Sequence, residues 1–415
     1  MISENNSTPR NILSAWMLFG FFLLITGLYI LPSRSAYKTT FYFFFLLPSL
    51  IAAILDYNKI TRNYFRGSTL YFFIFLIYLA ISSLWGAPDQ LPTNIKRVLY
   101  IAAASFGVFW LYFYERQRFY TVSVLSIAVV SIISLFWIVD FYILSENHVS
   151  QRIFSSEFDA YKLYKERHYG GFYNPLLLSH SVAFNLLLGI TLIRNRTEMT
   201  TKLSTIVTLC LPLIFAMLIA TQTRMAWISV TAVLIVLALI HVNTKIKTLL
   251  IFLIAAFLAC SPLLLQIDHS IVKRGFSLRP EIWASTLELM PRHWLFGNGL
   301  GAHIAIYIPG YEGSWSDTHN IYLEVLYYSG FSGLILLGIF MLKVAQELSW
   351  NPRTSLWCTV WCIYVALSGM ADGGGLISRP NEQWFKIYLP IMFILAHRRS
   401  QDYESNYNLL KFEKD

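Results

Sequence analysis

The chain has 415 residues, of which 56% are hydrophobic and only 13% carry charged side chains. Soluble globular proteins carry about 25% charged residues, so this composition excludes an ordinary soluble domain and predicts a polytopic membrane protein. The formal net charge of +9 does not indicate nucleic-acid binding. The basic residues are scattered over short segments between apolar runs, and they form no basic cluster or nucleic-acid motif.

Apolar runs long enough to cross a bilayer recur along the whole chain. A membrane-spanning helix needs roughly 20 mostly apolar residues, so the predicted fold is an all-α bundle of about twelve transmembrane helices. The candidate spans are about 11–31, 39–55, 69–86, 97–114, 120–144, 175–193, 203–220, 225–241, 248–265, 320–342, 355–371 and 385–397. The span 175–193 is less typical of a membrane helix, because it contains His180, Ser181 and Asn185.

The positions of Lys and Arg predict how the bundle is oriented, since short cytoplasmic loops are enriched in both. If the N-terminus is cytoplasmic, the inner segments hold 17 basic residues and the short outer loops hold 7. The longer outer loops 145–174 and 266–319 hold eight more, against the rule, and anionic substrates would explain them. Both termini are therefore predicted to be cytoplasmic, and the two long loops face outwards.

One membrane domain with a folded outer cap is the predicted organisation. Its divisions are spans one to nine in 1–265, an outer loop with short helices in 266–319, spans ten to twelve in 320–397, and a cytoplasmic tail in 398–415. Within the outer loop, Ile282, Leu287 and Met290, together with Trp283, predict a short amphipathic helix. The sequence N-G-L-G at 298–301 would break it.

His319 lies where the long outer loop enters the tenth span, in the stretch D-T-H-N-I-Y-L-E-V-L-Y-Y-S-G-F-S-G. The positive end of a helix disfavours imidazolium, and a neutral imidazole can accept a proton as a general base. Asp317 would shift the pKa of His319 the other way, or orient its ring. The alternative is a polar residue at the interface with no role in chemistry.

Two arginines are candidates for binding an anion. Arg224 lies in T-Q-T-R between two apolar runs, where a charged residue is costly and a functional candidate; the alternative is snorkelling to the interface. Arg279 lies in S-L-R-P-E-I-W, and its alternative is a solvated loop residue. Because the planar guanidinium binds two phosphate oxygens at once, the two arginines together predict a phosphate-bearing substrate.

Four further ionisable residues are weaker candidates. Arg167 lies in K-E-R-H-Y-G-G-F-Y-N-P, before the sixth span. Asp372 and Arg379 flank an outer glycine run and would pair with each other or contribute to the site. Glu324 is about one helical turn beyond Asn320, so it would help to orient the site, or it is a buried acid bonded to a neighbouring helix.

Aromatic residues are frequent in the predicted outer loop: Trp283, Trp294, Tyr307, Tyr311 and Trp315. They would stack on sugar rings or belong to an interfacial aromatic belt, and the belt is the favoured interpretation. The chain has no D-x-D pair, no Walker A motif, no H-E-x-x-H and no G-x-S-x-G elbow. A histidine acting without metal or other cofactor, with arginines holding a diphosphate, is the chemistry that remains.

The stretch beginning at His319 resembles the bacterial O-antigen ligases and their relatives among the O-antigen polymerases. The pattern of that family is His, then Asn, Ser or Gln, nine residues, Gly, two residues, and Gly, Thr or Val. Here His319 and Asn320 are followed by nine residues, Gly330, two residues and Gly333, so the match is complete. The predicted twelve-span layout, with its large outer loop between spans nine and ten, also agrees with the family.

Three other stretches carry the resemblance. T-Q-T-R, ending at Arg224, is similar to the first essential arginine of the family, and Arg167–Pro175 is similar to its arginine–glycine–asparagine–proline element. R-P-E-I-W followed by L-F-G-N-G-L-G resembles its second arginine, tryptophan and glycine pattern. The residues of that last pattern are Arg279, Trp283, Gly297, Gly299 and Gly301.

The resemblance implies a GT-C-like enzyme of the bacterial inner membrane with its active site facing the periplasm. The donor would be a glycan on undecaprenyl diphosphate, and the acceptor a sugar hydroxyl of lipid A–core. His319 would take the proton from that hydroxyl, and the oxygen would attack the anomeric carbon with inversion. Arg224 and Arg279 would neutralise charge on the departing diphosphate, with no metal and no nucleotide.

Three alternatives remain open at this stage. An O-antigen polymerase would use the same donor with a second lipid-linked repeat as acceptor. A protein O-oligosaccharyltransferase would use a serine, although no separate acceptor-peptide domain is evident. A transporter of lipid-linked glycans would carry charges along its spans and broken helices at the midplane in both halves, whereas these spans are mostly uncharged.

Overall fold

A computed structural model describes residues 8–57, 61–148, 171–172, 174–194, 199–240, 278–290, 293–308, 313–348, 352–370 and 373–412. Within these ranges the regular structure is helical, apart from one antiparallel bridge between Ile306 and Trp315. The α-helices are α1 (Thr8–Ile30), α2 (Arg34–Phe41), α3 (Leu47–Leu55), α4 (Arg62–Tyr64), α5 (Gly67–Ile81), α6 (Ser83–Gly86), α7 (Leu91–Tyr114), α8 (Arg116–Ile138), α9 (Pro175–Arg194), α10 (Thr201–Ala220), α11 (Arg224–Ile240), α12 (Arg279–Glu288), α13 (Ile321–Glu347), α14 (Pro352–Gly369), α15 (Gln383–Lys386) and α16 (Tyr388–Phe412).

Eight of the described segments are long and apolar enough to cross a bilayer, judged by length and composition. They are Pro9–Ile30, Arg34–Leu55, Gly67–Gly86, Pro88–Tyr114, Arg116–Leu144, Pro175–Arg194, Thr201–Ala220 and Ile321–Glu347. The prediction of a polytopic helical membrane protein is therefore confirmed, whereas the count of twelve is not.

The remaining four predicted spans have different outcomes. Arg224–Leu239 and Trp357–Gly369 are apolar helices, but they are shorter than the eight segments above. The predicted span 248–265 lies outside the described residues. The last one falls within α16, which starts at Tyr388 and continues to Phe412 through residues predicted to form a tail.

Polar residues within the spans point into the bundle and are buried there. His180, Ser181 and Asn185 of α9 are fully buried. The Tyr29 hydroxyl of α1 donates to Ser181 Oγ over 2.9 Å, and the Tyr364 hydroxyl of α14 donates to the His180 carbonyl over 2.9 Å. A buried hydroxyl needs such a partner, so these bonds fix α9 against α1 and α14 and account for Ser181 in this span.

A buried ionic network joins three helices at the end of α13 opposite to His319. Arg399 of α16 pairs with Glu347 of α13 (2.8 Å) and with Asp402 (2.6 Å). Glu347 also accepts the backbone N–H of Ser68 at the start of α5 over 2.8 Å. Breaking a buried ion pair leaves one uncompensated charge, so this network holds α5, α13 and α16 together far from the candidate site.

Candidate functional site

His319 has an unusual backbone conformation for a non-glycine residue, with φ of 49°. The Asp317 carboxylate accepts the backbone N–H of His319 over 2.8 Å. Thr318 Oγ1 donates to the Asn320 carbonyl over 2.8 Å. Non-glycine residues in the left-handed backbone region are strained, and they persist where surrounding hydrogen bonds hold them in place. Such residues cluster at functional sites. Asp317 therefore fixes the backbone of His319, which is a different contact from the ring orientation predicted from the sequence.

Asn320 explains why α13 begins immediately after the histidine. Its backbone is extended, and its Oδ1 accepts the N–H groups of Tyr322 (2.9 Å) and Leu323 (3.2 Å). This is the geometry of an N-cap, which satisfies donors that the first helical turn leaves open. His319 consequently precedes the cap by one residue, at the positive end of a 27-residue helix.

The His319 ring has few contacts that would occupy its nitrogens. Its Nδ1 is buried and has no hydrogen-bond partner among the described residues. The Trp315 ring meets it edge to face, with 5.9 Å between ring centroids. Trp315 is in turn held by two backbone hydrogen bonds of 2.9 Å with Ile306. A half-buried imidazole with an unbonded nitrogen is suited to accept a proton from a bound hydroxyl.

The glycine run at 373–375 packs directly against the Asp317–Asn320 turn. A Cβ on Gly373 would lie 2.4 Å from Asp317 Oδ1 and 3.2 Å from the backbone nitrogen of His319, so only glycine permits this approach. The buried Glu324 accepts the N–H of Gly374 over 2.7 Å. Glu324 thus ties the 373–379 loop to α13.

A kink in α13 accounts for the first glycine of the His–Asn–x9–Gly–x2–Gly pattern. Gly330 has φ of 65° and ψ of −166°, and a Cβ there would lie 2.4 Å from the Leu295 carbonyl oxygen. The loop 293–301 docks into this kink. Asn298 N–H donates to the Tyr327 carbonyl and Phe331 N–H to the Trp294 carbonyl, each over 2.8 Å. These bonds replace helical bonds that the kink breaks.

Arg279 is the first residue of α12, the short helix predicted in the outer loop. Ile282 and Met290 are buried in an apolar cluster with Leu326 and Tyr327 of α13, whereas Leu287 is 50% exposed and not part of the predicted apolar face. Trp283 packs against the same cluster. Arg279 is therefore carried on a helix that packs against α13, the helix that follows His319.

Arg224 begins α11 at the same end of the bundle. Thr223 Oγ1, one residue earlier, lies 3.4 Å from the Pro175 carbonyl at the start of α9. The start of α9 is bonded to the last turns of α14 through Tyr364, and the Tyr322 hydroxyl at the start of α13 donates to Ala366 of α14 over 3.0 Å. These contacts bring Arg224 and the start of α13 to one face.

An apolar cavity opens beside the start of α13, between α5, α13, α14 and α16. It is lined by aliphatic and aromatic side chains and is partly open to the surroundings. Ile321 and Tyr322, directly after the Asn320 cap, line one end of it, and Leu376 and Tyr388 contribute to its wall. The cavity therefore extends from the candidate site into the apolar part of the bundle.

The other predicted site residues have different placements. Arg167 and Asp372 lie outside the described residues. Arg379 is exposed and lies near Tyr42 and Arg97. In the arginine–glycine–asparagine–proline element, Asn174 Oδ1 accepts the N–H of Leu176 over 2.8 Å and so caps α9.

Sequence reasoning missed several charged residues at this end of the bundle. Lys386 is fully buried, with Nζ 3.4 Å from the Gly373 carbonyl. Glu382 is buried and paired with Arg34; burial raises the pKa of Glu382, and the positive charge of Arg34 opposes that shift. Lys386 and Arg34 stand at span edges in the sequence, where they were counted only for orientation, and that count does not include Glu382.

The chain is similar to known O-antigen ligases in two comparisons. Residues 209–338 match the family model described as O-antigen ligase. An O-antigen ligase from Pseudomonas aeruginosa is 30% identical over 406 residues, which cover 95% of this chain and 94% of that protein. The family segment contains Arg224, Arg279 and the whole stretch from His319 to Gly333.

Proposed function

This chain belongs to the O-antigen ligase family, and on that premise we propose that it transfers a glycan from undecaprenyl diphosphate to a sugar hydroxyl of lipid A–core. The reaction takes place at the periplasmic face of the bacterial inner membrane, with both termini of the chain in the cytoplasm. The observation that carries the proposal is the half-buried His319 ring, whose Nδ1 is unbonded in the described structure, at the capped start of α13.

In the proposed mechanism, His319 acts as the general base. The acceptor hydroxyl gives its proton to the imidazole, and the oxygen forms a bond to the anomeric carbon of the donor. The bond from that carbon to the diphosphate oxygen breaks on the opposite face, and the electron pair leaves with undecaprenyl diphosphate. The configuration at the anomeric carbon is therefore inverted. A general base of this kind typically contributes 10²–10⁴-fold, an order-of-magnitude range.

Arg224 and Arg279 bind the diphosphate in this proposal. Two guanidinium groups supply paired N–H donors to phosphate oxygens. They stabilise the charge that develops on the leaving group, as preorganised donors do in other transferases. The position of both arginines at the end of the bundle where α13 starts supports this role. No metal ion has a part in the proposed reaction.

The apolar cavity supports a lipid-linked donor. Its lining is almost entirely aliphatic and aromatic, and it begins at Ile321 beside the candidate base. A polyprenyl chain lying there would place its diphosphate at the water-facing end of α13.

A transfer assay tests the proposal. The purified protein is incubated with undecaprenyl-diphosphate glycan and lipid A–core in the presence of EDTA, and the products are separated by size. Glycan on lipid A–core is the expected product. Longer lipid-linked chains with unmodified core would identify a polymerase, and glycan on an added serine peptide a protein O-oligosaccharyltransferase. Loss of transfer with EDTA and its recovery with a divalent cation would contradict the metal-independent mechanism.

The transporter alternative requires a separate measurement. Donor enclosed in one leaflet of a vesicle is presented to the protein without acceptor, and its appearance in the other leaflet is followed. The proposed ligase leaves the donor where it is. Rapid movement of the donor without any transfer activity would favour a transporter.

A further inference from the structure

A group of basic and aromatic side chains lies across the 373–379 loop from His319. Arg97 of α7 donates from Nη1 to Asn94 Oδ1 (3.2 Å) and to the Ile377 carbonyl (3.3 Å). Asn94 is itself buried and donates to Ser83 Oγ over 2.8 Å. These bonds fix the direction of the Arg97 guanidinium. Its Nε is buried and has no hydrogen-bond partner in the part of the chain that the structure describes.

The charges around Arg97 are positive. Arg379, an exposed residue of the 373–379 loop, lies close enough to Arg97 to interact with it unfavourably. Lys96 Nζ is 5.8 Å from the centroid of the Tyr100 ring. Among the described residues, no carboxylate pairs with Arg97 or Arg379, since the nearby Glu382 is paired with Arg34. Like charges close together near hydrocarbon are costly unless an anion is bound between them.

The surroundings of Arg97 combine polar and lipid-exposed groups. Tyr42 lies near both Arg97 and Arg379, and its ring is 5.1 Å from that of Tyr100. Its hydroxyl can donate to an anion as well. Phe43 and Leu99, one residue away on the same two segments, are 54% and 61% exposed. Basic side chains beside exposed apolar ones favour the headgroup of a membrane lipid over a freely soluble anion.

We propose that Arg97, Arg379, Lys96 and Tyr42 form a second anion site, which binds a phosphate monoester or diester carried by a lipid. Arginine recognises phosphate through its planar fork, and the fixed Arg97 guanidinium is preorganised for that contact. The site is separate from the Asp317–Asn320 turn, because the two contact different residues of the 373–379 loop. Gly373 touches Asp317 at one end of this loop, and Ile377 binds Arg97 near the other.

Two lipids could supply this phosphate. One is the acceptor, whose lipid A carries phosphate groups, and that identification rests on the proposed function. The other is an anionic phospholipid of the surrounding leaflet. Binding itself is independent of glycosyl transfer, so a failure of one proposal is distinguishable from a failure of the other.

The experiment measures lipid binding to the full-length protein in detergent by native mass spectrometry. The probes are lipid A, phosphatidylglycerol, undecaprenyl diphosphate and a glycolipid without phosphate. The variants are Arg379→Gln and the double variant R97Q/R379Q. The matched control is Arg118→Gln, an arginine with a 57% exposed side chain near the end of the bundle where Arg116 bonds to Ser400. Loss of a charge-assisted hydrogen bond to phosphate predicts about tenfold weaker binding in the double variant.

Each outcome bears directly on the proposal. Weaker binding of lipid A alone supports an acceptor site, and weaker binding of both phosphate lipids supports a general lipid-phosphate site. Unchanged binding of both, or an equal loss for the phosphate-free glycolipid, would overturn the proposal. So would weaker binding of undecaprenyl diphosphate alone, because the site would then belong to the donor. Arg379→Gln changes an exposed loop residue, so it keeps the test valid if the double variant does not fold.

Discussion

Gly330→Ala tests whether the first glycine of the family pattern has a structural role, distinct from the chemical role proposed for His319. The added methyl group would have to occupy a backbone conformation, φ 65° and ψ −166°, that is essentially restricted to glycine. Its Cβ would lie 2.4 Å from the Leu295 carbonyl oxygen and 2.6 Å from the Gly297 nitrogen. Both neighbours are backbone atoms, so the 293–301 loop has to move.

The expected loss of stability follows from the backbone strain and from the hydrogen bonds lost when the loop moves. Backbone strain of this kind costs about 1–3 kcal/mol, and each backbone hydrogen bond lost where the loop docks costs about 1 kcal/mol more. We therefore expect Gly330→Ala to lower the free energy of unfolding by at least about 2 kcal/mol. In contrast, Gly338 of the same helix has nothing within 4 Å of its Cβ position. Gly338→Ala should be neutral or stabilising by up to about 1 kcal/mol.

Unfolding by sodium dodecyl sulfate, followed by circular dichroism, compares the two variants with the parent. Limited proteolysis then reports on the 293–301 loop, which should be cleaved faster in Gly330→Ala. If Gly330→Ala and Gly338→Ala unfold at the same denaturant fraction and the loop is equally resistant, the structural reading of Gly330 is refuted.

Three other substitutions test the site and its scaffold. Gly373→Ala would bring a Cβ within 2.4 Å of Asp317 Oδ1 and disturb the turn at His319. We expect glycan transfer to be at least about tenfold slower. An unchanged rate would show that transfer does not depend on this turn. Trp315→Ala removes the ring that contacts His319 and should slow transfer by about threefold to tenfold. Its control is Trp294→Ala, which removes a 55% exposed ring and should leave the transfer rate unchanged. Equal effects of the two substitutions would favour a general aromatic belt. Arg399→Gln leaves Glu347 without its buried partner and should lower the free energy of unfolding by about 3 kcal/mol. The folded fraction should remain active, since this ion pair is far from His319. An unchanged denaturation midpoint would contradict a stabilising role for the ion pair.

Local features of the candidate site could be predicted from the sequence because they depend on neighbouring residues. Asn320 caps the helix that follows it, and His319 stands at the positive helix end, as an Asn before an apolar run indicates. The short helix beginning at Arg279 was likewise evident from its apolar periodicity. Its exposed Leu287 shows the limit of that pattern, since the buried face depends on where α13 lies.

Features that join distant segments could not be predicted. The spacing of Gly330 was visible, but its purpose depends on a loop about 30 residues earlier in the chain. The contacts of Gly373 with Asp317 and of Glu324 with Gly374 each join segments about 50 residues apart. Hydropathy gave a good account of the long spans, and α11 begins at Arg224, one residue before the predicted span 225–241. It does not reveal how the ends of these helices are bonded to one another, because those contacts are not part of a hydropathy average.

The most direct test of the central claim is the transfer rate of His319→Gln beside the parent enzyme, in EDTA and with lipid A–core as acceptor. Glutamine keeps a polar side chain of similar length but cannot act as a base near neutral pH. The denaturation midpoint and the binding of undecaprenyl diphosphate are measured on the same preparation. The proposed role predicts a fall in transfer of about 10²–10⁴-fold with folding and donor binding retained. Transfer at the parental rate would show that His319 is not the base, and it would contradict the proposed mechanism.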